Sequence, residues 1–358
     1  MRQYKAIGLM SGTSLDGIDA ALVSTDGENF IRREGFVTIP YAPDFRQRLK
    51  SCFQLKPAGR QKAAAVEREL TELHAAAVRQ LMGSEKADLI GFHGQTVSHA
   101  PEEGYTLQLG DGALLAALTG TEVVNDFRTA DVKAGGQGAP LVPVYHRALA
   151  AGMEKPVAFL NIGGVANVTY VDDDNIIAFD TGPGNALLDD WMLKKTGEAF
   201  DKDGRAAKAG HVNGGVLKQL LSHSYFGRKP PKSLDRNAFA SEAWQGLSTE
   251  DGAATLSSFT VKSIVQSAAF LPKIPKKWIV MGGGRLNLFF MGELQKALGV
   301  PVVNCDTLGL NGDAIEAEAF AYLAVRSLRG LPISFPGTTG VAKPLTGGVK
   351  HTATRKSA

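Results

Sequence analysis

The sequence predicts an α/β protein of two domains, and three observations predict it. The chain has 358 residues, more than one compact core usually gathers. Apolar stretches of strand length alternate with helical patterns, as sheets flanked by helices require. Two separate stretches, beginning near residues 4 and 157, each open with a glycine-turn hairpin and continue as alternating strands and helices. That parallel predicts an architectural duplication without a sequence repeat.

Residues 4–24 read as strand, turn and strand, with Asp16-Gly17 as the hairpin signal. KPAGRQKAAAVERELTELHAAAVRQLMG (56–83) reads as a helix. Its Val66, Leu70, Leu73, Ala77 and Leu81 form one stripe, and Gly83 stands where a C-terminal cap belongs. ADLIGFHGQT (87–96) predicts a buried strand ending in a polar loop, and EVVNDFR (122–128) a short strand with polar residues at its end. ADVKAGGQGAPLVP (130–143), rich in glycine and proline, is the expected interdomain connection. Residues 157–192 then predict strand, Gly-Gly turn, strand, acidic turn, strand, and a loop opening into a helix. Helices are expected from about 200 to 260, interrupted by GRKPPKSLDRNAFA (227–240). KKWIVMGGGRLNLFFMGELQKALG (276–299) repeats strand, glycine loop and helix. GDAIEAEAFAYLAVRSLRG (312–330) predicts an amphipathic helix closed by Gly330 and Pro332.

Composition narrows the function classes. Apolar residues make up 44% and charged residues 21%, ordinary for a soluble globular chain. A net charge of +3, with scattered lysines and arginines, argues against a nucleic-acid partner. Cys52 and Cys305 stand far apart with no C-x-x-C, which argues against a disulfide framework or a structural zinc site. The opening MRQYKAIGLM has no apolar core of signal-peptide length and no later run approaches a membrane span, so the cytoplasm is the expected location. The 41 glycines cluster in short groups, as in loops that bring backbone close to a ligand.

Five stretches carry candidate chemistry. GLMSGTSLDGIDAALV (8–23) is either a plain hairpin, with Asp16 serving the turn, or a cradle for phosphate. As a cradle it offers unhindered backbone N–H groups and the hydroxyls of Ser11, Thr13 and Ser14, which bind anionic oxygens without a lysine. Asp16 and Asp19 can then hold magnesium, directly or through water. In FDTGPGNALLDDW (179–191), Asp180 ends an apolar strand ahead of a helix start; it reads as a general base or as a capping aspartate. Asp189 and Asp190, farther along that helix, read as a solvated face. MGGGRLN (281–287) nearly imitates a dinucleotide fingerprint, but Asn287 replaces the third glycine and the loop comes late in the chain. It suits backbone contact with an adenosine, or simple packing of strand on helix. GFHGQT (91–96) and NDFR (125–128) bring polar side chains to strand ends. His93 and His99 lack a third metal ligand, and His93 reads as structurally hydrogen-bonded. Arg128 suits a bidentate pair with a substrate carboxylate, or a surface ion pair. The motifs G-x-x-x-x-G-K-[ST], H-E-x-x-H and G-x-S-x-G are absent.

Taken together, the motifs resemble one family, the 1,6-anhydro-N-acetylmuramic acid kinases of bacterial cell-wall recycling. GLMSGTSLDGIDAALV, GFHGQT, NDFR-x-x-DV-x-AGGQGAPLVP, NIGGVANVT, FDTGPGNALLDDW, PPKS, MGGGRLN and PGTTG-x-x-KPLTGG stand in the family's order, from about residue 6 to about 349. No departure falls at a position assigned to chemistry. The tail VKHTATRKSA lies outside the pattern and is expected to be disordered.

The resemblance implies a two-domain α/β fold of the hexokinase, actin and Hsp70 (ASKHA) type, with an ATP cleft between the domains. It implies a discontinuous first domain, residues 1–135 plus 312–358, and a second domain of 136–311. The family's first phosphate loop maps onto Gly12, Thr13, Ser14, Leu15, Asp16, Gly17, Ile18 and Asp19, with Asp16 and Asp19 at Mg²⁺. Its second phosphate loop runs from Asp180 and includes Gly182 and Gly184, and its adenosine loop maps onto Gly282, Gly283, Gly284 and Asn287. The implied substrates are ATP and 1,6-anhydro-N-acetylmuramic acid. Asp180 is the implied base for the water that opens the anhydro ring at C1, and the freed O6 takes the γ-phosphoryl group. N-acetylmuramic acid 6-phosphate and ADP are the implied products, within peptidoglycan recycling. Gln95, Thr96, Arg128 and Glu316 are candidate sugar contacts, Arg128 because the lactyl carboxylate needs a cationic partner. A homodimer is implied, with no nucleic-acid or membrane partner. Two alternatives share parts of this pattern: an ordinary sugar kinase, with the same phosphate loops, and a nucleotide-gated binding module of the actin and Hsp70 type. The second would require a peptide-binding domain for which the chain has no spare length.

Overall fold

The computed structural model describes residues 1–235, 238–239 and 242–353. Its residues group into two compact units, 1–151 with 314–358 and 152–313.

In the first unit, β1 (Tyr4–Ser11), β2 (Gly17–Thr25) and β3 (Ile31–Pro40) form an antiparallel meander. β4 (Leu89–Ala100) lies parallel to β1, and β5 (Tyr105–Leu109) pairs antiparallel with the outer half of β4. β6 (Glu122–Asn125) lies parallel to β4. The second unit repeats the plan. β7 (Val157–Ile162), β8 (Val165–Val171) and β9 (Ile176–Pro183) form a meander, and β10 (Lys277–Met281) and β11 (Val302–Asn304) add in parallel beside β7. The chain then returns to the first unit through the helix Ile315–Leu328 and ends in β12 (Val349–His351), antiparallel to β6. Among the described residues the two sheets therefore read 3-2-1-4-6-12 and 9-8-7-10-11. The shared core, a meander with two parallel strands beside its first member, is the duplication the sequence predicts.

Each sheet is covered according to its side-chain pattern. The helix Ala64–Met82 buries Leu70 and Ala77 of the predicted stripe, ends at Gly83, and shares a core with Ile7, Leu9, Ile90 and Phe92. The helix Ile315–Leu328 covers the other face, and it comes so close that Gly8 and Gly91 are obligatory. A Cβ on Gly8 would lie 1.7 Å from the Ala317 carbonyl oxygen, and one on Gly91 2.0 Å from that of Phe320. In the second unit the helix Thr249–Ser267 packs Phe259, Leu256 and Ile264 against Val168, Phe179 and Trp278.

Five expectations need correction. Asp16-Gly17 is not a two-residue turn: the open connection is 12–16, closed by the Leu15 N–H on the Gly12 carbonyl (3.1 Å), and Leu15 takes the left-handed φ of +59°. Gly17 is already in β2, where a Cβ would lie 2.2 Å from the Ile39 carbonyl oxygen. His93–Thr96 continue β4 instead of forming a loop, because β5 supplies a pairing partner and Gly94 (φ +71°) absorbs the bend. Thr181–Pro183 likewise belong to β9 and not to a loop. Residues 130–143 are not the link between units. Asp131 ties that segment within the first unit, accepting from the Gly138 N–H (2.6 Å) and the Thr339 hydroxyl (2.6 Å), and the junction follows the helix Pro143–Leu149. It therefore falls at 151/152, later than the expected 135/136, because Tyr145 is anchored by Glu318 (2.8 Å). Finally, Val349–His351 of the tail are ordered as β12, with the His351 ring bonded to Asn125 Oδ1 (2.9 Å); residues 354–358 lie outside the described residues. So do 236, 237, 240 and 241, around the end of the expected loop 227–240. Among the described residues no helix is long and apolar enough to cross a membrane.

Candidate active site

In the first unit, the candidate residues lie where β1 and β6 end and where β4 runs on to pair with β5. Thr13, Ser14 and Asp16 are exposed on the 12–16 turn, which leaves backbone open for an anion. Leu15 is buried beneath them. Gly17 and Ile18 instead pair with Pro40 and Ile39 of β3, and Ile18 is wholly in the core, so only its main chain is open to a ligand. Arg46 braces the turn through the Ser14 carbonyl (3.1 Å) and pairs with Asp16 (3.6 Å), whose side chain is 73% exposed. Below the turn, Ser11 donates to Gln95 Oε1 (2.6 Å) and meets the Tyr41 hydroxyl (2.6 Å). Gln95 is buried and thereby committed to the frame. The Thr96 hydroxyl accepts from Gln108 (3.2 Å).

Arg128 is partly buried and held rigidly. It donates to His93 Nε2 from Nε (3.1 Å) and to the Gly138 carbonyl from Nη1 (2.8 Å). His93 must then be neutral with its proton on Nδ1, which meets the Gly94 carbonyl (2.8 Å). Burial and the Arg128 charge both hold it well below the ordinary histidine range. This bears out the structural reading of His93. Burial lowers the Arg128 guanidinium to about 10, with Glu316 and Asp131 opposing. Glu316 is accessible to solvent yet crowded by protein atoms. The crowding raises its carboxyl, Arg128 lowers it, and Asp19 raises it. Asp19, Arg128 and Glu316 thus form one charged group, with Asp19 accepting from the Thr38 hydroxyl (2.6 Å).

In the second unit, Asp180 stands near the end of β9, beside a register shift between Ala166 and Asn167 of β8. Its Oδ2 accepts from the Leu234 N–H (2.8 Å), and among the described residues none donates to Oδ1. Burial raises the carboxyl to about 6, although the Leu234 N–H and Lys232 both lower it. A carboxylate basic enough to take a proton near neutrality, with one oxygen fixed and no described residue donating to the other, can act as a general base. Gly182 and Gly184 follow in tight packing, where a Cβ would lie 2.4 Å from the Ser263 hydroxyl and 2.0 Å from the Gly163 carbonyl oxygen.

The glycine loop after β10 is similarly compact. Gly282 (φ +69°) passes within 2.4 Å, as a Cβ would measure it, of Asn161 Oδ1. Arg285, 5% exposed, pins the loop by ion pairs to Asp306 (2.9 Å) and, bidentately, Asp313 (2.9 and 3.0 Å). Asn287 caps the helix Leu288–Leu298 by accepting from the Phe289 and Phe290 N–H groups (3.0 and 3.1 Å). Beside the loop lies a cavity of about 500 Å³, lined by Asn185, Leu188, Phe200, Gly283, Leu286 and Asn287. Phe200 and Leu286 are 58% and 57% exposed, apolar groups left uncovered in this chain. Sequence reading missed Arg285, Phe200 and Leu286. The first gives no signal without its partners, and the others look like ordinary core residues.

The donor set also bears on magnesium. Among the described residues no three His, Cys, Asp or Glu side chains cluster as metal ligands. Asp19, with Asp16 on the adjoining turn, fits an ion that takes one or two carboxylates and otherwise keeps water and substrate oxygens.

Similarity to known proteins defines the class first: a sugar kinase, transferring phosphoryl to an alcohol group. Residues 4–353 match the family described as Anhydro-N-acetylmuramic acid kinase, and the chain belongs to that family. It is 53% identical to the anhydro-N-acetylmuramic acid kinase of Rhizorhabdus wittichii, covering 98% of this chain and 100% of the relative. The corresponding enzyme of Paramagnetospirillum magneticum is 52% identical, with 97% and 99% covered. Among solved structures, ligand-bound xylulose kinase from Lactobacillus acidophilus aligns with a TM-score of 0.48 at 12% identity, over 98% of this chain and 94% of that one.

Proposed function

We propose that this chain is an ATP-dependent kinase that opens 1,6-anhydro-N-acetylmuramic acid with water and phosphorylates O6. The observation that carries the reading is Asp180: a partly buried carboxylate, raised to about 6, with Oδ2 held by Leu234 and no donor to Oδ1 among the described residues. Asp180 takes a proton from water as the water oxygen bonds to C1. The C1–O6 bond breaks, O6 bonds to the γ-phosphorus of ATP, and ADP departs. Phosphoryl transfer of this kind asks mainly for positioning and charge neutralisation. The 12–16 turn offers its backbone to phosphate oxygens, followed by Asp19, with Gly182 and Gly184 as the second phosphate contact. Mg²⁺ held by Asp19 and Asp16 would neutralise phosphate charge. Gly282, Gly283, Gly284 and Asn287 border the adenosine, and the exposed Phe200 and Leu286 support an apolar seat for a flat base. Arg128 faces the lactyl carboxylate; Glu316 and Thr96 bind sugar hydroxyl or amide groups, and Gln95 braces this edge through Ser11 and the Thr96 carbonyl. The proposed setting is the cytoplasm, within peptidoglycan recycling, and the proposed assembly is a homodimer.

The test is product analysis in ¹⁸O-water with ATP, Mg²⁺ and the anhydro sugar. The expected product is the 6-phosphate with label at C1. Label in the phosphate ester instead, or an ordinary free-hydroxyl sugar turned over in preference, would overturn the reading.

A further inference from the structure

The PPKS stretch, residues 230–233, has no part in the reaction as described, yet it packs directly on Asp180. Three bonds tie that residue to the segment 225–234. The Asp180 N–H donates to the Lys232 carbonyl (3.0 Å), the Tyr225 hydroxyl donates to the Asp180 carbonyl (2.6 Å), and the Leu234 N–H donates to Oδ2 (2.8 Å). The main chain and one carboxylate oxygen are thereby engaged, while no described residue donates to Oδ1. The Lys232 ammonium sits over the rings of Phe270 (4.5 Å) and Tyr225 (4.6 Å), with Phe179 at 5.8 Å, and donates to the Tyr225 carbonyl (3.4 Å). These contacts hold a cation beside Asp180 without a direct ion pair between the two. The distinction matters chemically. A direct pair would occupy Oδ1 and make the carboxylate a weak base, whereas no cation would leave a buried acid protonated near neutrality.

We propose that Lys232 is a positioning residue for the reaction, its main chain orienting Asp180 and its ring-held ammonium keeping that carboxylate charged while Oδ1 stays open to water. The inference rests on Asp180 being the base. Among the described residues, the groups facing the pair are Arg228, which acts on Lys232, and the Tyr225 phenol, which faces both. Burial and Arg228 bring the Lys232 ammonium down to about 8, with Asp180 opposing, so both charges coexist between about pH 6 and 8. Loss of the lysine charge removes an influence that lowers Asp180. The base is then protonated at higher pH, and the acid limb of activity moves upward.

The experiment compares kcat against pH for the full chain, Lys232→Met, Lys232→Arg and Asp180→Asn. In Lys232→Met, which keeps the stem among the rings, the acid limb is expected to rise by about half a pH unit or more. Its KM for ATP should stay within about twofold, and Lys232→Arg should restore the limb. An unmoved limb, or an effect confined to KM for ATP, overturns the proposal; the latter marks a phosphate contact. If Lys232→Met does not fold, the carboxyl titration of Asp180 in Lys232→Arg and Lys232→Gln, read by ¹³C NMR against the Asp180→Asn spectrum, decides: a higher midpoint in Gln than in Arg is expected, and equal midpoints overturn it. Turnover retained in Asp180→Asn would defeat the base assignment itself. An inactive Asp180→Asn with an unmoved Lys232→Met limb defeats only this inference.

Discussion

The two units share a core strand order yet use it differently. In the first, polar side chains at the strand ends are mostly partnered: Ser11 with Gln95 and Tyr41, Arg128 with His93 and Gly138, Asp131 with Thr339. In the second, the equivalent edge fixes Asp180 through its main chain and Oδ2, and no described residue donates to its Oδ1. The difference teaches that a repeated topology dictates where loops converge but not which chemistry they carry. A rigid, satisfied frame suits recognition; a single unsatisfied, raised carboxylate suits proton transfer. The units also differ in what their cores bury. The first encloses His74 and His146, whereas His211 and His223 of the second are exposed.

Four substitutions or conditions test this contrast, in descending order of effect. Asp180→Asn should lower kcat by about 10²- to 10⁴-fold while nucleotide binding, read by calorimetry, is kept; a small loss would erase the functional asymmetry. Gly8→Ala should cost the first unit more than about 3 kcal/mol or prevent folding, read by urea unfolding, because the new Cβ meets backbone at 1.7 Å. Acid should weaken the first unit through its histidines. Burial holds His74 and His146 down to about 4 and about 3, below their unfolded value, so each binds its proton more readily when unfolded. Their contribution is therefore complete above the unfolded pKa near 6.5 and is lost as pH falls from there toward 4 and 3. At pH 5 each should account for a loss on the order of 1–2 kcal/mol, and His74→Leu should flatten the fall in Tm between pH 7 and 5. Gly292→Ala, on the second unit's helix with open space at its Cβ, should add up to about 1 kcal/mol in urea unfolding.

Much of this was legible in the sequence because it depends on local chemistry. Apolar periodicity marked the helix Ala64–Met82 and the strands around 157–183, glycines marked Gly83 and the loop after β10, and the ordered motifs marked the family. The turn at 12–16 was placed correctly as a turn but built differently, with Leu15 and not Gly17 in the left-handed conformation. Only tertiary structure could assign Gly17 to close packing, carry β4 through His93 to Ala100, order Val349–His351 as a strand, and move the unit boundary past Tyr145. Each of these depends on a partner outside the segment itself: β3, β5, β6 and Glu318. The same holds for the site. The sequence by itself determined that Asp180 follows an apolar strand and precedes glycines. That one oxygen is held by Leu234 and the carboxyl is raised to about 6 was decided by folding, because burial and hydrogen-bond donors arrive only when residues more than fifty positions apart come together.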